Sequence, residues 1–244
     1  MTVLVTRPGS QGDSLCQQLN QIGIRAFHHP LIDIKPGKSL PGLANKIHHY
    51  DFIIAVSQHA VTISQQELAT NWPKSATYLA IGQKTAHILG KLSQQKVHYP
   101  DVSDSEHLLD LNILKHVKNK KVVILRGNGG RELISDTLNA RGAQVSYLEV
   151  YQRTNVAFDS DRLVPYWKDN NIQKLVITSS DQLRYFVSQL TTEQSDWVFR
   201  LHLYVPSQRI AQHAHSLGFV HITNTNSAAN KDLLAILQSK ETGQ

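Results

Sequence analysis

The segment VLVTRPGSQGDSLCQQLNQIGIRAFHHPLIDIKP, opening at Val3, returns in altered form at Val122 as VVILRGNGGRELISDTLNARGAQVSYLEVYQRTN. In each copy an apolar, strand-like run leads into an arginine (Arg7, Arg126) and a turn containing glycine. An amphipathic stretch follows, closes on a glycine (Gly23, Gly142) and gives way to a second strand-like run. In the first copy Leu15, Leu19 and Ile22 fall at i, i+4 and i+7, the spacing of one apolar helix face. Glycine at the helix end permits the left-handed cap. Two further pairs follow in the same order. FIIAVSQHAVTIS from Phe52 matches LVITSSDQLRYFV from Leu175, and YLAIGQKTAHILGKL from Tyr78 matches LYVPSQRIAQHAHSLG from Leu203. A repeat of roughly 120 residues, built from strand–turn–helix units, predicts an α/β protein with largely parallel sheets.

The repeat alone allows two divisions of the chain. Two contiguous halves are one. The other is circular: the first strand–helix–strand unit joins the last two units, and the middle of the chain forms its own domain. Segments 31–36 (LIDIKP) and 148–154 (LEVYQRT) would then cross between domains; they are equivalent positions of the repeat, which favours the circular division.

Open parallel sheets bind ligands beyond the carboxyl ends of their strands. Those ends carry Arg7, then Ser57 and Gln58, Gly82 and Thr85, Arg126, Gly127, Asn128, Gly129, Gly130 and Arg131, Ser179 and Ser180, and finally Ser207 and Arg209. Backbone amides at helix starts carry partial positive charge and can hold carboxylates or phosphates. The formal net charge of +6 points the same way, toward an anionic ligand.

Other chemistries lack their residues. LRGNGGRE has no Lys-Ser/Thr ending of a phosphate loop, and Glu132 stands where a dinucleotide fingerprint needs its third glycine. The 13 histidines form no HExxH, His213 and His215 point to different sides of a helix, and one cysteine builds no sulfur site, so no metal is expected. The basic run at 115–121 reads as a solvated surface, and no nucleic-acid-binding pattern occurs. No apolar run nears the ~20 residues of a membrane helix. The opening MTVLVTRPGS lacks the pattern of a signal peptide. A lone Cys16, expected as a small buried hydrophobe, suits a reducing compartment, so a cytoplasmic location is expected.

The pieces VLVTRP, FIIAVSQHAV, YLAIGQKTA, VVILRGNGGRE, GAQVSYLEVYQR and LVITSSDQL, in this order along nearly the whole chain, resemble the uroporphyrinogen-III synthase family. The resemblance implies two similar α/β domains, each a mostly parallel five-stranded sheet flanked by helices, joined by a two-segment crossover. It places one domain at 1–33 plus 153–244 and the other at 37–149, with crossovers at 34–36 and 150–152 and the active site in the cleft between domains. It implies a cofactor-independent lyase that closes hydroxymethylbilane, a substrate with eight carboxylates, into uroporphyrinogen III with loss of water and inversion of ring D. A monomer that receives the bilane from the upstream bilane-forming enzyme, without nucleic acid or membrane, is the implied setting.

Residue by residue, Tyr151 matches the family tyrosine that helps the hydroxyl leave, and its side chain is expected in the cleft, outside the interior of either domain. Thr85 matches a cleft threonine, and Ser57 and Ser179 match strand-end serine turns. The second copy of the IGQKTA turn departs from the pattern as PSQRIA, which leaves Ser207 or Arg209 to contact carboxylates. The rival to an enzyme is a two-domain binding protein or sensor for a small anion, which the repeat and the anion loops fit equally. A nicotinamide dehydrogenase is opposed by the missing glycine fingerprint.

Overall fold

The structure, a computed structural model, describes residues 1–239. Residues 240–244 of the expected discontinuous domain lie outside the described residues. The strands are β1 (Thr2–Val5), β2 (Arg25–His28), β3 (Ile32–Pro36), β4 (Phe52–Ala55), β5 (Thr77–Ala80) and β6 (Val97–His98). They continue as β7 (Lys121–Arg126), β8 (Gln144–Glu149), β9 (Tyr151–Asn155), β10 (Lys174–Val176), β11 (His202–Val205) and β12 (His221–Asn224). The chain separates into two compact units: Met1–Asp33 with the chain from Thr154 on, and Ile34–Arg153.

Each unit holds one five-stranded sheet, in the order β12-β11-β10-β1-β2 in the first and β6-β5-β4-β7-β8 in the second. Every ladder in both sheets is parallel: Leu4 lies between Leu175 and Phe27, and Ile54 between Leu79 and Ile124. A parallel sheet buries both faces under helices, which is why the central strands are apolar without alternation. Their side chains still alternate by face. In the first unit Leu4, Leu175 and Leu203 enter one core, while Val3, Val5, Val176 and Tyr204 enter the other. In the second unit Ile53, Val123 and Leu125 oppose Phe52, Ile54 and Ile124 in the same way. The segments β3 and β9 pair with each other as a two-stranded sheet.

The repeat persists down to single hydrogen bonds. Gly23 and Gly142 both adopt left-handed φ, 83° and 84°. The Oδ1 of Asn20 accepts from the Ala26 N–H at 3.0 Å, and that of Asn139 from the Val145 N–H at 3.3 Å. The first helix, Gly9–Gln21, buries Leu15, Cys16 and Leu19 as its apolar spacing demands. Ile22 departs from that expectation: it caps the helix and is 38% exposed, because the chain turns outward there toward Gly23. Cys16 is a buried free thiol, pushed up to about 12 by desolvation and then by Asp13. No helix among the described residues is long and apolar enough to cross a membrane.

Candidate active site

In the second unit the chain runs outward from β4 through β5 to β6, then returns to the other side of β4 as β7 and β8. The strand order therefore reverses between β4 and β7, and the crevice beyond their carboxyl ends is where such sheets take ligands. Ser57 follows β4, and Gly127 follows β7. Between them lies Tyr151. Its hydroxyl accepts a hydrogen bond from Ser57 Oγ at 3.2 Å and another from Arg153 Nη2 at 3.2 Å. Ser57 Oγ in turn accepts from the Ala60 N–H at 3.1 Å, capping the helix Gln58–Leu68.

The expectation that Tyr151 stays outside the interior of a domain does not hold. The residue is 2% exposed and belongs to the apolar core of the second unit. The physical reason is Gly127, which leaves the space the ring fills: a Cβ there would stand 2.6 Å from two of its carbons. His59 covers the ring at a centroid distance of 5.8 Å. Burial, and then the charge of Arg153, hold His59 below the usual histidine range.

The loop after β7 supplies a second group. A cavity of about 220 Å³ opens beyond the ends of β4, β5 and β7, lined by Arg126, Gly129, Gly130, Arg131 and Tyr147 among others. Arg126 is 5% exposed; it stacks on the Tyr147 ring at 4.3 Å and pairs with Glu132 at 3.0 Å. Arg131 is exposed and forks onto both Glu106 oxygens at 2.5 and 3.1 Å. Gly129 and Gly130 have φ of 103° and 133°, conformations closed to other residues, which turn the loop over the cavity. The Asn128 side chain reaches the other way, accepting from the Arg153 N–H at 2.7 Å and donating to the Arg153 carbonyl at 3.2 Å.

The remaining candidates have surroundings of their own. Gln58 lines a separate open hollow with Gln83, Lys84, His87 and Ile88. Thr85 is buried in the first turn of the helix Gln83–Ser93, and Ser103 presses against its cap, Gly82. In the first unit Arg7 is buried, donating to Asn230 Oδ1 and to Gln11 Oε1 at 2.7 Å, and its desolvation opposes its charge. Ser179 and Ser207 cap their helices, accepting from the N–H groups of Gln182 and Ile210. The hydroxyls thus use amides that sequence reading assigns to substrate carboxylates. Ser180 opens the helix after Ser179, and Arg209 is exposed on the helix Gln208–Leu217.

Two residues of the site escape sequence reading, Arg153 and His59. Arg153 carries a usable signal, since residues two apart on a strand share a face. His59 carries none beyond its place in the first helical turn after Ser57. Among the described residues no group of three or more His, Cys, Asp or Glu side chains is arranged to hold a metal ion.

Residues 13–235 match the family model described as uroporphyrinogen-III synthase HemD. A uroporphyrinogen-III synthase of Escherichia coli (strain K12) is 40% identical over 98% of this chain and 100% of its own length. That of Salmonella typhimurium is 39% identical over 98% and 100%. Among solved structures, a mutant uroporphyrinogen III synthase of Thermus thermophilus superposes with a TM-score of 0.62, at 14% identity over 99% of both chains. A uroporphyrinogen-III synthetase of Helicobacter pylori gives 0.60, at 13% identity over 98% and 99%. At these identities the structural likeness bears on the fold, and it agrees with the two-domain α/β architecture.

Proposed function

The chain belongs to the uroporphyrinogen-III synthase family, and from that premise we propose how its own residues close the ring. It is an enzyme of porphyrin and haem biosynthesis. The substrate is hydroxymethylbilane. The Tyr151 hydroxyl gives its proton to the terminal hydroxyl, the carbon–oxygen bond breaks, and water leaves. Electrons from the adjacent pyrrole nitrogen stabilise the cation that results. Ring D then closes through a spiro intermediate, inverted, and the proton lost as the last pyrrole regains aromaticity returns to the phenolate.

The observation that carries this reading is the pattern of bonds at the phenol. Its oxygen accepts from both Ser57 and Arg153, so its own proton is left for a ligand. A general acid contributes about 10²-fold or more, and a bilane that ionises readily needs the lower end. The rest of the work is positioning. Arg126 and Arg131 face the cavity beyond β7 and hold carboxylates there, with the amides of Gly129 and Gly130 beside them. Gln58, Gly82, Thr85, Ser180, Ser207 and Arg209 extend that role to the other strand ends, and Arg7 anchors the loop after β1. The enzyme works as a cytoplasmic monomer and takes its substrate from the bilane-forming enzyme.

Tyr151→Phe tests the assignment, since it removes the donor and keeps the ring. We expect kcat to fall about 100-fold with the fold intact. Enzyme-made product stays mainly the inverted isomer, while uninverted ring accumulates in solution from untreated bilane. Full activity in the Phe variant, or loss of activity only through unfolding, rules Tyr151 out as the acid.

A further inference from the structure

We propose that Arg153 is the positioning residue of the Tyr151 acid: held by Asn128, its guanidinium binds the phenol oxygen and stabilises the negative charge left when the proton departs. The proposal rests on the reading of Tyr151 as the proton donor.

Three observations support it. The first is direction. Arg153 Nη2 donates to the oxygen at 3.2 Å, whereas its guanidinium carbon lies 5.7 Å from the ring centroid, near the outer limit of a cation–π contact. The contact that matters is with the atom that becomes anionic. A preorganised donor aimed at developing charge lowers a barrier without reorganising as the proton moves.

The second is charge. Arg126 is paired with Glu132, and Arg131 with Glu106. Among the described residues no carboxylate pairs with Arg153, so its charge is not neutralised before it meets the phenol. His59, the other titratable neighbour of the ring, is held below the usual histidine range by burial and then by Arg153, which disfavours a second cation there.

The third is support. An exposed arginine is ordinarily mobile, but both backbone polar groups of Arg153 are bonded to the single side chain of Asn128. That amide takes the place of a neighbouring strand. It ties Arg153 to the loop whose preceding residue, Gly127, receives the tyrosine ring. One loop therefore fixes both the acid and the group that stabilises its conjugate base.

A double-mutant cycle on the full-length enzyme tests this, comparing wild type, Arg153→Gln, Tyr151→Phe and the double variant. We expect Arg153→Gln to lower kcat about tenfold, less than a buried oxyanion donor because solvent reaches this arginine, with KM almost unchanged. Arg153→Lys should recover part of the loss. In the Tyr151→Phe background the arginine change should move kcat by less than about twofold, because the oxygen it acts on is gone. An equal loss of kcat in both backgrounds overturns the proposal, as does a rise in KM at constant kcat, which would make Arg153 a carboxylate-binding residue. Full activity in Tyr151→Phe alone instead removes the reading beneath it. Should Arg153→Gln fail to fold, Asn128→Ala keeps the arginine and frees it. That variant should also lower kcat in wild type and not in Tyr151→Phe; a loss seen equally in both backgrounds again overturns the proposal.

Discussion

At Gly127 the backbone has no room for a methyl group. A Cβ there would stand 2.6 Å from two carbons of the Tyr151 ring, and the ring is enclosed by the core. Gly127→Ala should therefore destabilise the protein by about 1–3 kcal/mol, the usual cost of overpacking, and displace the phenol from its two donors. Denaturant unfolding would show the first effect and kcat the second; a variant with wild-type values for both would mean that the ring moves aside freely. In the sequence this residue is one glycine among three in LRGNGGRE, and short-range reading assigns all three to a turn. Gly129 and Gly130 do serve the turn, through their positive φ. Gly127 serves a side chain on a distant strand, and only the tertiary structure brings the two together. The same limit explains Tyr151, which sequence reading identifies but places in the open. Side-chain burial depends on the neighbour's missing atoms, and these leave no local pattern.

The strand–turn–helix elements were far more legible, because their logic is contained within a few residues. Ser57, Ser179 and Ser207 each stand between an apolar strand and a helix, and each caps that helix by accepting from the N–H three residues on. Replacing such a cap by alanine costs about 1 kcal/mol. Ser57→Ala and Ser179→Ala should thus lower stability by similar amounts in urea or thermal unfolding. Ser57→Ala should in addition reduce kcat several-fold, since Ser57 Oγ also donates to the Tyr151 hydroxyl. Equal effects of the two changes on every measurement would leave Ser57 as a cap alone. The capping role carries a lesson for the anion loops. At Ser179 and Ser207 the hydroxyl oxygen accepts the helix amide and the hydroxyl proton is left to donate to a carboxylate, so one side chain serves both the turn and a ligand.

Over the whole molecule, the duplicated pattern made the α/β class and its parallel sheets legible, and the apolar continuity of β4 and β7 follows from burial on both faces. What the repeat left open was which strands share a sheet, since equivalent copies fit either division. In the structure β10 lies between β11 and β1, so the sheet of the first unit draws on both ends of the chain. Residues 37–149 made alone should then unfold cooperatively. Residues 151–244 made alone should not, because β1 and β2 are missing and the three-residue β10 becomes an edge. Cooperative unfolding of the second fragment, by circular dichroism, would contradict this. The same pairing also imposes an order in time on a ribosome. The strand carrying Val3, Leu4 and Val5 emerges first and its neighbour β2 soon after, yet its partner on the other edge, β10, ends at Val176. At roughly 5–20 residues per second, the ~140 residues from 37 to 176 take roughly 7–28 seconds to make. Throughout that interval β1 has only β2 beside it and its other edge stays open next to a nascent middle domain that can already fold, which makes the first-made segment the one in greatest need of a chaperone.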